Sequence, residues 1–185
     1  MKKTYLSLEE IIQGCKNNNR GAQSELFRRY KDILYYVSLK YCTSEAEAED
    51  NLHDAFLVIF QKISSYKGKG SFEGWMKRIT MYKAIDRYKK NKEYPVESQD
   101  GLKEDVSAPQ EELTINLDTI LKAIQQLPNQ YRMVFSMFQL DQYSHKEIAR
   151  TLSISEGTSK SNYHRAKILL RSQLIQQLPK ETSTP

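Results

Sequence analysis

Apolar side chains in the first half of the chain recur every three or four positions, as in Leu26, Phe27, Tyr30, Ile33, Leu34 and Val37, and again in Leu52, Ala55, Phe56, Ile59 and Ile63. At about 100° per residue this spacing gathers them on one face of a helix, and no comparable alternation of period two suggests a strand. Three Ser-x-x-Glu pairs, Ser7 with Glu10, Ser44 with Glu47 and Ser144 with Glu147, have the capping-box spacing that marks helix starts. Residues 92 to 112, "KEYPVESQDGLKEDVSAPQEE", break the pattern with two prolines, a glycine and many carboxylates, which predicts a flexible acidic linker. The expected fold is all-α, with two small helical domains, residues 1–92 and 113–178, joined by a linker over 93–112.

Charge follows the same partition. Residues 1–92 hold 18 Lys and Arg against 11 Asp and Glu, residues 93–112 hold 1 against 7, and residues 113–185 hold 9 against 5. Two basic blocks therefore flank an acidic connector, an arrangement suited to a polyanion such as nucleic acid. No apolar run approaches the roughly 18 residues of a membrane span, so a cytoplasmic protein without a membrane span is expected. Cys15 and Cys42 are far apart, with no Cys or His cluster near either. They read as small buried hydrophobes, and neither a metal site, a cofactor nor a disulfide framework is expected. The chain has no phosphate-cradling glycine loop and no nucleophile with an ordered base, and His53 beside Asp54 lacks a third partner, so no enzyme and no catalytic residue are expected.

From Ser144 the chain reads "SHKEIARTLSISEGTSKSNYHRAKILLRSQL". A capped short helix carrying Ile148, Ala149 and Leu152 meets a turn at Ser153, Ile154 and Ser155, and Ser155 can cap a second helix, which is helix-turn-helix spacing. On that second helix Tyr163, Ala166, Leu170 and Leu174 fall on one predicted inward stripe. Lys160, Ser161, His164, Lys167 and Arg171 lie opposite, with Arg165 on a flank. An outward basic stripe of this kind fits a major groove, where it can reach base edges and phosphates; an ordinary solvated hairpin is the plainer reading.

The segment "SFEGWMKRITMYKAIDRYKKNK", residues 71–92, predicts a helix with two apolar stripes. Phe72, Trp75, Met76, Ile79 and Tyr82 form one, and Met81, Ile85 and Tyr88 the other, bordered by Lys77, Arg78, Arg87, Lys89 and Lys92. Such a helix is either enclosed in a core or offers rings to an outside partner, and rings beside cations suit unstacked single-stranded bases.

Taken together, these segments resemble the bacterial sigma-70 family, in its small two-domain extracytoplasmic-function (ECF) group. "EAEDNLHDAFLVIFQKI" (47–63) is similar to the helix that docks on the polymerase clamp in that family. "GSFEGWMKRITMYKAIDRYKK" (70–90) resembles the segment that opens and reads the −10 promoter element, and "LPNQYRMVFSMFQLDQYSHKEIARTLSISEGTSKSNYHRAK" (127–167) resembles the −35 reader. The resemblance implies sigma region 2 in residues 1–92 and region 4 in 113–178. Its implied partners are core RNA polymerase, promoter DNA and, in some members, an anti-sigma factor.

Polymerase contact would then fall on Asp50, Asn51, Asp54, Leu57, Val58 and Gln61. Contact with the −10 element would fall on Lys67, Lys69, Phe72, Trp75, Lys77, Arg78, Tyr82, Arg87 and Tyr88. Contact with the −35 element would fall on Thr158, Lys160, Ser161, His164, Arg165, Lys167 and Arg171. The outer face of 47–63 mixes acid with aliphatic side chains, which suits a protein better than a polyphosphate.

Departures from the family pattern are Tyr82 where Asn is frequent, Ser153 where a turn Gly is common, and Ser159 and Asn162 in place of a frequent apolar residue and a frequent Arg. The competing readings are a free-standing helix-turn-helix regulator that needs no polymerase, and an RNA-binding or nucleic-acid-modifying enzyme.

Overall fold

The computed structural model describes residues 6–91 and 116–176; the predicted linker lies outside them. Every regular element among the described residues is helical, and the chain divides into two compact units, Met1–Arg87 and Tyr88–Pro185.

The first unit is built on α2 (Arg20–Tyr41), against which α1 (Leu8–Lys16) and α3 (Glu45–Lys62) both pack. Ser7 and Glu10 close a full capping box on α1, while Asn19 Oδ1 accepts from the Ala22 N–H to start α2. On α3 only half of the box forms. Ser44 Oγ accepts from the Glu47 N–H, but the Glu47 carboxylate turns to the Thr43 N–H instead. Glu25 takes Arg28 in a two-point fork and Arg29 at 2.6 Å, and these bonds hold its carboxyl down at about 2. Arg29 also donates to the Leu6 carbonyl, tying the chain ahead of α1 to α2.

The core of this unit gathers Ile11, Cys15, Leu26, Leu34, Phe56, Ile59, Ile63, Phe72 and Met76. Each large aliphatic group removed from water here contributes about 1.5–3 kcal/mol. Both cysteines are buried, as their reading as small hydrophobes implied.

Helix α4 (Phe72–Asn91) follows a single 3-10 turn, Ile63–Ser65, and a glycine-containing loop. Its first stripe enters the core through Phe72 and Met76. Its second does not stay outside: Met81 and Ile85 are 3% and 1% exposed and Tyr88 is buried as well. The second stripe is therefore enclosed, because leaving three large apolar groups in water would forfeit several kcal/mol of burial, while the first is enclosed through Phe72 and Met76 and leaves Trp75 and Tyr82 at its outer edge.

The second unit holds α5 (Leu117–Gln125), α6 (Asn129–Phe135), α7 (His145–Leu152) and α8 (Glu156–Gln176). A π turn over Ser136–Leu140 extends α6, closed by the Asp141 N–H on the Ser136 carbonyl. Ala123, Ile124, Leu127, Tyr131, Ala166 and Leu170 form its core.

Arg132 lies almost wholly inside this unit. Its guanidinium donates to the Gln125 and Leu127 carbonyls at 3.0 and 2.9 Å and to Asn129 Oδ1 at 2.6 Å. It therefore satisfies the carbonyl end of α5, where a helix leaves acceptors unpaired. Arg132→Met, which keeps the stem and removes the donors, is expected to lower stability by about 2–4 kcal/mol, measured by urea unfolding.

Candidate nucleic-acid and partner interfaces

Helix α7 starts with a complete capping box, Ser144 Oγ accepting from the Glu147 N–H and the Glu147 carboxylate accepting from the Ser144 N–H. It ends at Ser153, whose φ of 55° and ψ of 50° are left-handed. That is the conformation in which glycine has no penalty, so the serine carries local strain at the turn. Ser155 Oγ then accepts from the Thr158 N–H at 2.9 Å and opens α8, completing the helix-turn-helix.

On α8 the exposed stripe is the predicted one: Lys160, Ser161, His164, Lys167 and Arg171 all face solvent. Lys160 pairs with Glu156 at 3.0 Å, and Lys167 Nζ sits 4.8 Å above the Tyr163 ring. Arg165 is half-buried and donates to the Tyr131 hydroxyl, and Thr158 is half-buried with its hydroxyl on Ser155 Oγ. These two residues hold the helix in place from within the predicted DNA set.

The inward side differs from expectation. Ser159, Asn162, Ala166 and Leu170 are buried, whereas Tyr163 and Leu174 are only half-buried. The missed signal lies in a tertiary pair: Ser159 Oγ meets His145 Nδ1 at 2.9 Å, and the His145 ring stacks on Phe138 at 4.2 Å between centroids. Burial, then the nearby Lys160, pushes His145 below its ordinary 6.5, while Glu156 pulls the other way.

In the first unit, the loop before α4 turns at Gly68 and Gly70, with φ of 71° and 78°, and the Tyr66 hydroxyl closes it by donating to the Gly70 carbonyl at 2.8 Å. Lys67 and Lys69 project from it, exposed. Ser71 Oγ caps the first turn of α4 at the Gly74 N–H. The Phe72 ring is buried and packs on Tyr30, Tyr66 and Trp75, so it supports the site without offering a stacking face.

Buried Tyr88 is likewise withdrawn, and Lys77 pairs with Glu73 at 2.6 Å. Of the predicted −10 residues on α4, half-buried Trp75 and exposed Arg78 and Tyr82, the last 39% exposed, reach solvent on one stripe, while Asp86, Lys89 and Lys90 are exposed farther along the helix. Arg87 is turned to α3, donating to the Glu47 carbonyl and the Asp54 carboxylate.

On α3, Asp50, Leu57 and Gln61 are exposed, and Asp54 and Val58 are partly so. Leu57, 60% exposed, is the most exposed large apolar side chain among the described residues. Asn51 does not belong to this surface: it is fully buried and hydrogen-bonded to Ser38 and Thr80, because its stripe faces the neighbouring helices. The described residues hold no grouping of three His, Cys, Asp or Glu that could ligate a metal, and no helix among them is long and apolar enough to cross a membrane.

With this geometry in place, comparison with known proteins is direct. Residues 26–94 match the family model of sigma-70 region 2, and residues 117–170 match that of sigma-70 region 4. The chain is 30% identical to the ECF RNA polymerase sigma factor SigW of Bacillus subtilis (strain 168), over 91% of this chain and 97% of that protein. It is 27% identical to the ECF RNA polymerase sigma factor SigM of Mycobacterium tuberculosis (strain ATCC 25618 / H37Rv), covering 87% and 81% of the two chains. Among solved structures, the co-crystal of the sigma factor RpoE with the anti-sigma factor NepR from Bartonella quintana aligns with a TM-score of 0.48 at 18% identity, over 84% of this chain and 98% of that one.

Two tests follow from the helix-turn-helix. Ser153→Gly relieves the left-handed strain and is expected to raise stability by about 0.5–1 kcal/mol, read by thermal or urea unfolding. Neutral His145 stabilises the folded unit, so its contribution is present above its ordinary 6.5 and is lost as pH falls below it. Unfolding curves between pH 7.5 and about 5 should show this decline, and His145→Asn, which keeps a nitrogen or oxygen for Ser159 but does not titrate, should flatten it. The carboxylates Glu10, Glu25 and Glu156, all held low, act only in a more acidic range, which separates the two effects.

Proposed function

This chain belongs to the sigma-70 family, in its ECF group, and from that premise we propose how its two helical units divide the work. As a sigma factor it binds core RNA polymerase and directs promoter recognition and transcription initiation. The −35 element is assigned to region 4, residues 113–178, through the exposed basic stripe Lys160, Ser161, His164, Lys167 and Arg171 on α8. The −10 element is assigned to region 2, residues 1–92, through Lys67 and Lys69 on the closed loop and Trp75, Arg78 and Tyr82 on α4. The polymerase clamp is assigned to the α3 face of Asp50, Asp54, Leu57, Val58 and Gln61. RNA synthesis itself belongs to the polymerase, and no catalytic residue is proposed in this chain.

The observation that carries this reading is the coexistence of an outward cationic stripe on α8 with an exposed acidic and aliphatic face on α3. A duplex repels the second and attracts the first, so two partners of different chemistry are required. A regulator working alone would leave the α3 face without a task.

Energetics supports dependence on the polymerase. Opening four base steps costs roughly 6 kcal/mol at about 1.4 kcal/mol each. Each base captured on a ring returns about 1–3 kcal/mol, and only two rings, Trp75 and Tyr82, reach the α4 surface with their faces partly open. Two such rings return about 2–6 kcal/mol, which at best only matches the cost, so the free protein has no net driving force for opening.

Run-off transcription from genomic fragments with purified core enzyme should yield discrete start sites only when this protein is added. On a promoter so obtained, permanganate should detect unpaired thymines with core enzyme present and none with the protein alone; opening by the free protein would refute the assignment. Lys167→Ala and Arg171→Ala should each weaken duplex binding across sequences and reduce the salt slope by about 1.

A further inference from the structure

One stripe of α3, residues 47, 51 and 54, is tied to α2 and α4 by hydrogen bonds and ion pairs. Asn51 Nδ2 donates to the Thr80 carbonyl at 3.2 Å and to Ser38 Oγ on α2 at 3.0 Å. Arg87 spans two turns of α3, donating to the Glu47 carbonyl at 3.1 Å and to Asp54 Oδ2 at 3.3 Å. Lys83 reaches the same Asp54 oxygen at 3.4 Å. The α4 anchors, residues 80, 83 and 87, also form a single stripe two turns long.

Such a seam is a poor way to gain stability. The Asp54 pairs are half-exposed and worth little. Asn51 is fully buried and its Oδ1 has no partner among the described residues, so an apolar side chain of the same branched shape, such as leucine, would avoid that unmet polar atom. What directional bonds supply and an apolar seam does not is a single register between two helices.

The faces joined by this seam matter under the sigma-factor reading, on which the inference rests. Asp54 belongs to the α3 face assigned to polymerase, and on the helix assigned to the −10 strand Thr80 and Lys83 lie within a turn of Tyr82 and Arg87 less than two turns beyond it. We propose that Asn51 and Arg87 are positioning residues that fix the register of α4 on α3, so that docking of α3 on the polymerase aims Trp75 and Tyr82 at the separated strand. Arg87, expected from sequence to touch DNA, acts on it through α4 instead.

The test uses the full-length protein with purified core enzyme and a promoter recovered by run-off. Asn51→Leu should fold with unchanged or higher thermal stability and bind core enzyme as the wild type does, yet form permanganate-reactive complexes about 10- to 100-fold more slowly at saturating core. Arg87→Gln should show the same split between binding and opening. Arg87→Lys should recover only part of the rate, since one ammonium can reach Asp54 but not the Glu47 carbonyl as well.

Wild-type opening rates in Asn51→Leu would overturn the proposal. So would full recovery in Arg87→Lys with a salt dependence expected of a phosphate contact, because that would make Arg87 a DNA ligand. If the wild-type protein opens no promoter with core enzyme, the sigma-factor reading fails along with it; if the wild type opens DNA and the variants do so equally well, only the seam fails.

Discussion

Enclosure of α4 on two faces is the constraint around which the first unit is organised. A helix carrying Phe72 and Met76 on one side and Met81 and Ile85 on the other must be surrounded, and in this protein it is. Between those faces one strip, Trp75, Arg78 and Tyr82, reaches the surface. Because the rest of the helix is held, those few side chains have a defined direction, and a defined direction is what reading a displaced base requires.

The same enclosure explains why rings were easier to find in this segment than to assign. Phe72 packs among Tyr30, Tyr66 and Trp75, each ring oriented by the next. An aromatic cluster of this kind stabilises through burial and edge contacts, so its innermost member cannot also stack on a base. The division between supporting and presenting aromatics is a matter of depth, and depth is decided by the neighbouring helices.

That distinction also marks what was legible in the amino-acid sequence. Helix positions and starts were, since periodicity and Ser-x-x-Glu chemistry act within one turn; Ser7 and Ser144 close full boxes. Ser44 closes only half of one, because the adjacent Thr43 competes for the Glu47 carboxylate. The outward stripe of α8 was legible for the same local reason. Its inward stripe was not: Ser159 is buried because His145, fourteen residues earlier, supplies its partner. Asn51 was misplaced on the surface by the same blindness, as its partners Ser38 and Thr80 lie on two other helices. A polar residue reads as exposed until its distant partner is known.

The loop between Tyr66 and Ser71 carries a consequence of its own. Two glycines at positive φ let the chain reverse there, and the Tyr66 hydroxyl on the Gly70 carbonyl closes the turn. In the −10 role proposed for this loop, that one bond lowers the chain freedom Lys67 and Lys69 would surrender on contact. Under that proposed role, a closed turn would let the tempo of strand capture follow how often the duplex breathes more than any slow refolding of the loop.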